Sequence, residues 1–262
     1  MSIDLNNLSG EKLEELRLHD KVIAKKYDSI RERNKFSRYY QDYWLNKILD
    51  NLKSEPKKVL DYCCGTASLY PVLKNRFSQT EYTGIDISRE MIKVGQHNYG
   101  NSKNFILHQQ DAENLDLKND FDVVIARGAF HHLPSPARGI EQIHKVLKPG
   151  GLLIISEPVS TVLHKLIRKI VYRLNSHFSA THKSFYFSEL KSLLNDNGFE
   201  IMKVDRFGFL AFPFGFPDIF SFVKYFPCFF LKPLVEIDNL LAKIPFVKNL
   251  SWSIIIAARK ID

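Results

Sequence analysis

Between residues 57 and 157 short apolar runs alternate with amphipathic stretches. "KKVLDY", "EYTGIDIS", "NFILHQQ", "FDVVIAR" and "LLIISEP" are nearly continuous in their apolar residues, as strands covered on both faces are. The intervening segments at 69–77, "REMIKVGQHN" and "PARGIEQIHKVL" carry helical spacing, and "KPGG" reads as the turn into the fifth strand. This alternation predicts a doubly wound α/β sheet, parallel in its main part, whose ligands sit at the carboxyl ends of the strands.

The flanks are patterned differently. Residues 9–52 read as two helices. Ser9 is placed to cap the first, with Leu13, Leu16, Val22 and Ile23 as its apolar stripe, and Tyr40, Trp44, Ile48 and Leu52 mark the second. These residues, up to about 55, are expected to form a helical cap or lid, with residues 56–262 as the main domain. Substrate-side insertions are expected at about 158–187 and 207–250. Beyond 157, "VLHKLIRKIVYRL" reads as a basic amphipathic helix. "FSELKSLLNDNGFEIMKVDRF" reads as helix, glycine stop and strand, and "LSWSIIIAARK" as a closing strand. Between these lies the aromatic stretch "FGFLAFPFGFPDIFSFVKYFPCFFLKPL", too interrupted by proline, glycine and charge for a spanning helix. Three roles compete for it: extra core, the wall of an apolar acceptor pocket, or contact with a membrane surface helped by the basic helix.

Composition narrows the class. With 262 residues and 45% hydrophobic content the chain can bury a real core and fits one domain with embellishments. Three cysteines, two adjacent, make neither a metal-ligand spacing nor a disulfide framework. With no export signal in "MSIDLNNLSGEKLEELRL", a cytoplasmic location is expected. The net charge of +8 allows an anionic partner, although lysines on a solvated surface are the favoured account of it. No signal for oligomeric state is visible.

The chemistry begins at "VLDYCCGTASLYPVL", where an apolar run leads through an acid and small residues to a helix start. Backbone N–H groups at such a junction suit a polar ligand, and small residues let the ligand approach. Gly65 keeps the centre of the turn, Cys63 is small enough for close contact, and Ala67 is expected to require negative φ. Without G-x-G-x-x-G, a dinucleotide pyrophosphate is disfavoured. Asp61, Asp86 and Asp111 close three successive strands. A carboxylate at Asp86 suits ribose hydroxyls, and one at Asp111, followed by Ala112, suits an adenine edge, although Asp111 could equally be a helix cap. Together they describe a site for an adenosine whose other end is not a diphosphate.

The stretches "VLDYCCGT", "YTGIDIS", "QQDAENL", "FDVVIARGAFHHL" and "LKPGGLLIISEP", taken in order, resemble the class I S-adenosylmethionine-dependent methyltransferases. The resemblance is to the group that acts on small molecules, the quinone-biosynthesis enzymes among them. It implies a seven-stranded sheet with an antiparallel last strand and S-adenosyl-L-methionine as cofactor. It also implies Asp61 and Gly65 beside the methionine end, Asp86 at the ribose, Asp111 and Ala112 beside the adenine, and Arg127 and Gly128 beneath the cofactor, with Cys63, Ile87 and Met91 as further cofactor-binding residues. Tyr27 lies where such enzymes place an aromatic residue on a lid. No metal is implied, since the donor sulfonium carries its own leaving group. Candidate general bases are His131, His132 and His182. The expected activity is methyl transfer to a small, apolar acceptor, oxygen being favoured, with peripheral membrane contact as a possible accompaniment. The rivals are a nucleic-acid methyltransferase, disfavoured by "ARGAF" where an Asn- or Asp-Pro-Pro-aromatic motif would stand, and a cofactor-binding module without catalysis.

Overall fold

The structure, a computed structural model, describes residues 9–18, 34–118, 120–161, 164, 184–216 and 227–261. Its centre is a seven-stranded sheet in the order β3-β2-β1-β4-β5-β7-β6. The strands are β1 (Lys58–Tyr62), β2 (Glu81–Asp86), β3 (Phe105–Gln109), β4 (Phe121–Arg127), β5 (Leu147–Pro158), β6 (Phe199–Phe207) and β7 (Ser253–Lys260). The first five pair in parallel, and β7 inserts antiparallel between β5 and β6. The helices are α1 (Gly10–Leu18), α2 (Lys35–Leu49), α3 (Leu69–Arg76), α4 (Arg89–Tyr99), α5 (Pro136–Val146), α6 (Phe187–Asn195) and α7 (Cys228–Leu241). The expected doubly wound fold is therefore present, last strand included.

The strands are apolar throughout because the sheet is covered twice. Val59, Val123, Ile125, Ile154 and Ile255 enter one core, while Leu60, Val124, Ala126, Leu153, Ile155, Ile254 and Ile256 enter the other. Residues alternate between the two cores with the two-residue period of a strand. The "KPGG" segment departs from its expected role as a separate turn, since it is absorbed into β5. Phe121 pairs with Leu147 but Val123 pairs with Leu152, so the extra residues bulge out, with Gly150 at φ +69°. Gly198, at φ +76°, supplies the expected stop between α6 and β6.

The second N-terminal helix starts where Asn34 accepts hydrogen bonds from the N–H groups of Phe36 and Ser37. Its stripe of Phe36, Tyr40, Trp44 and Ile48 is buried in the same core as Phe207, Phe216, Leu231 and Val235. The first part of the aromatic insertion is therefore core. Phe212 and Phe216 set their rings near that of Tyr40, and Ser37 Oγ donates to the Gly215 carbonyl at 2.8 Å. Gly215 is required there, because a Cβ would lie 2.4 Å from Tyr40 Cδ1. Ser9 carries the expected cap of α1, accepting from Lys12 N. Val22, Ile23 and the basic helix at 162–174 fall largely or wholly outside the described residues.

The insertion is fastened by one carboxylate. Asp238, buried on α7, accepts from the backbone N–H groups of Phe209 (2.8 Å), Leu210 (2.8 Å) and Ala211 (3.1 Å). Asp238→Ala would strand three donors at once. We expect it to lower unfolding free energy by roughly 2–4 kcal/mol, measured by urea denaturation.

Candidate active site

One cavity opens at the carboxyl ends of β1, β2 and β4, and the β1–α3 loop forms its floor. In that loop Cys63, Gly65 and Ala67 have φ of +57°, +56° and +63°. Three alternate residues thus take the left-handed conformation for which glycine is the usual choice, although only one is glycine. The expectation of negative φ at Ala67 is overturned. Its conformation is imposed by the surroundings, where its N–H donates to the Cys64 carbonyl, its own carbonyl accepts from Tyr70 N, and its methyl group is fully buried. A left-handed non-glycine residue costs about 1–2 kcal/mol, and this loop carries that cost twice.

Asp86 holds the loop in place. Its Oδ2 accepts from Gly65 N at 2.8 Å and its Oδ1 from Ser88 N at 2.9 Å, while Ser88 Oγ caps α4 by accepting from Met91 N. A Cβ built on Gly65 would meet nothing within 4 Å, so that side of the loop faces open space. Asp61 lies on the wall, 4% exposed, and accepts from the Tyr82 hydroxyl at 2.6 Å. Burial pushes its carboxyl up to about 7, against the opposing pull of Tyr82 and the Arg127 charge. Asp111 is not a helix cap. Its Oδ1 accepts from Glu113 N in a local turn, and its Oδ2 receives the Lys12 ammonium at 2.6 Å.

The far wall comes from β4. Arg127 donates to Gln41 Oε1 of α2 at 3.0 Å and to Ser68 Oγ at 2.7 Å, and its guanidinium lies 5.4 Å from the centre of the Trp44 ring. Trp44 in turn donates to Ser156 Oγ at 2.7 Å. Beyond Gly128, His132 lines the cavity, whereas His131 is tied to Glu157, with Nδ1 2.7 Å from Oε2. Glu157 is fully buried and also accepts from Ala129 N and Phe130 N, so it orders the whole turn. The two imidazole rings touch, with centroids 4.0 Å apart. Burial, followed by nearby carboxylates, holds the thiols of Cys63 and Cys64 well above their usual range.

The structure therefore gathers Asp61, Cys63, Gly65, Asp86, Ile87, Met91, Asp111, Ala112, Arg127, Gly128 and His132 around one space. His131, bound to Glu157, is not among the lining residues, and Tyr27 and His182 lie outside the described residues. Two participants escaped the sequence reading. Glu157 ends β5 just as the three aspartates end or follow their strands, so the same signal, an acid closing an apolar run, could have found it. Lys12 carries no such signal. It reaches the cavity only because α1 packs there, pairing with Asp111 and with Glu113, each at 2.6 Å. Burial works against its charge, but the two carboxylates outweigh it and leave its pKa raised. Among the described residues no group of His, Cys, Asp and Glu is arranged to hold a metal ion.

Residues 35–204 match a family described as a methyltransferase domain. The demethylmenaquinone methyltransferase of Staphylococcus saprophyticus is 29% identical over 224 residues, covering 76% of this chain and 95% of that protein. The Staphylococcus aureus protein of the same name is 29% identical over 190 residues, covering 69% and 78%. Two solved structures share the fold. The [4+2]-cyclase SpnF has a TM-score of 0.60 at 20% identity, over 84% of this chain and 80% of that one. Haemonchus contortus phosphoethanolamine N-methyltransferase 2, in complex with phosphomonomethylethanolamine and S-adenosylhomocysteine, has 0.58 at 17%, over 84% and 53%.

The raised Asp61 carboxyl fixes a sign. Between the ordinary value of 3.8 and about 7 the folded chain keeps a proton that the unfolded chain has released. The stabilisation is full below the lower value and is lost as pH rises through the upper one. Urea unfolding across this window should show stability falling as pH rises, and Asp61→Asn should flatten that slope.

Proposed function

Because the chain belongs to the methyltransferase domain family and is an S-adenosylmethionine-dependent methyltransferase of class I, we propose that it methylates a small hydrophobic acceptor of the ring-hydroxyl or quinol type, with oxygen as the favoured atom. The observation that carries this reading is the meeting of three carboxylates, an open-faced loop and a histidine at one cavity. The names of the staphylococcal relatives support a quinone-like acceptor.

The residues present fit the cofactor. Asp86 is fixed by two backbone donors at the cavity wall and offers a carboxylate to ribose hydroxyls. Asp111 and Ala112 would flank the adenine, with Ile87 and Met91 as apolar walls. Asp61 and Gly65 would face the methionine end, where a positively charged ligand favours the ionised form of Asp61. When bound, S-adenosylmethionine supplies an electrophilic methyl carbon whose leaving group is a neutral thioether. The chain's share is to exclude water and align the acceptor, which can lower the barrier by roughly 7–11 kcal/mol. His132 would take the proton from the acceptor hydroxyl, a contribution of about 10²–10⁴-fold. Glu157 holds the turn that presents it, through Ala129, Phe130 and His131.

Isothermal titration with S-adenosylmethionine should give saturable binding that Asp86→Ala weakens at least about tenfold. The affinity should fall as pH drops below about 7, because ionising Asp61 then costs a proton. With a naphthoquinol acceptor, His132→Gln should lower kcat by roughly 10²-fold with donor affinity retained. Methylation of tRNA in place of any quinol would overturn the acceptor assignment.

A further inference from the structure

The outer side of α7 has no part in the cavity. Its inner side is ordinary core, with Leu231, Val235 and Asp238 all buried. A surface helix that buries one stripe normally turns charged and polar residues outward. Here positions 229, 233, 237, 240 and 244, spaced by four or three, hold Phe229, Pro233, Ile237, Leu240 and Ile244. Phe229 is 66% and Leu240 61% exposed, and Ile237 and Ile244 are exposed as well. The polar residues Lys232, Glu236, Asn239 and Lys243 are confined to one flank. The helix thus buries one apolar face and exposes a second on its opposite side, where Ile237 and Leu240, with Ile244 just beyond its end, lie open.

The turn that follows extends the outer face. Phe246 is 86% exposed and sits at φ +69°, a conformation that side chains larger than glycine rarely adopt. Such exposure gives the fold almost nothing in burial, so the fold alone does not account for a bulky aromatic residue in that position. On the polar flank beside the apolar face the charge is predominantly positive. Lys243 and Lys248 line a groove together with Lys47 and Arg206, against the two acids Asp205 and Glu236. Lys232, on the same helix, lies 5.1 Å from the centre of the Tyr39 ring.

From this geometry we infer that α7 and the Phe246 turn form a docking surface for a bilayer containing anionic phospholipids. The helix lies in the interface with Phe229, Leu240, Ile244 and Phe246 immersed, and the lysines meet the headgroups. Apolar side chains on one face beside cationic residues are what interfacial binding requires, and attraction to anionic headgroups adds to the buried apolar area. No helix among the described residues is long and apolar enough to cross a membrane. Charge complementarity selects this occupant over a second copy of the chain, which would set one lysine rim against another. The surface is also mechanically joined to the cavity. Asn239 of α7 accepts from the Tyr43 hydroxyl of α2 at 2.6 Å, and the same helix contributes Gln41 and Trp44 to the setting of Arg127.

The test is flotation of the full chain with vesicles of phosphatidylcholine alone or mixed with phosphatidylglycerol, at low and high salt, without acceptor present. The expected result is binding to the mixed vesicles that weakens with salt. The double variant Leu240→Asp/Phe246→Asp should reduce it by roughly tenfold or more, and Lys243→Glu/Lys248→Glu should remove most of its salt dependence. Both variants alter exposed side chains, so circular dichroism and S-adenosylmethionine binding should match the parent. Absence of flotation with the mixed vesicles would overturn the inference, as would flotation that Leu240→Asp/Phe246→Asp leaves intact. A dimer seen by light scattering that this variant dissociates would instead assign the face to a second copy.

Discussion

The loop after β1 and the start of the helix after β2 both depend on the Asp86 carboxylate, shared between Gly65 N and Ser88 N. One side chain at the end of β2 thereby sets the course of the loop leaving β1 and the start of the helix after β2. Without it, the loop would have to keep three left-handed residues with only one glycine among them. A carboxylate receiving two backbone donors is a strong, directional anchor, and here it offsets a conformational preference that two of the three residues oppose. The same group lies on the cavity wall, so the anchor of the architecture and the contact offered to a ligand are one atom set.

A second unit stands across the cavity. Glu157 closes β5 and fixes the turn after β4 by accepting from two consecutive backbone N–H groups and one imidazole. Trp44, Arg127 and Ser156 then link that side to α2, and α2 to the aromatic insertion. The N-terminal helix, the end of the sheet and the insertion therefore form one packed body around the Tyr40 and Trp44 rings. Disturbance in any of the three would be felt at Arg127.

The sheet and its topology were legible because the signals that encode them are local. Apolar runs such as "VVIA" and "LLIIS" announce doubly covered strands, and acids at their ends announce a ligand edge. That rule singles out Asp61, Asp86 and Asp111, and all three line the cavity. Glu157 obeys the same rule, but it stands in "SEP" on a strand whose role in the site is indirect. Lys12 could not be found locally, since its importance arises from the packing of α1 beside Asp111 and Glu113, about a hundred residues away in the chain. Ala67 misled for a related reason. Intrinsic preference opposes its observed φ, and tertiary contacts override it. In "KPGG", turn chemistry was correctly sensed, but β-pairing continued around it. The outer stripe of α7 was hidden in an aromatic composition that looks the same whether it faces inward or outward.

The loop with left-handed Cys63 and Ala67 separates a backbone shape from the letters that usually spell it. Glycine is the easiest occupant of these positions, yet the junction itself dictates the contour. A glycine-keyed scan would therefore discard relatives that retain the ligand cradle, whereas a template of torsion signs at alternate positions would recover them. In this chain the contour persists with cysteine and alanine at two of the three positions, held by the acid opposite.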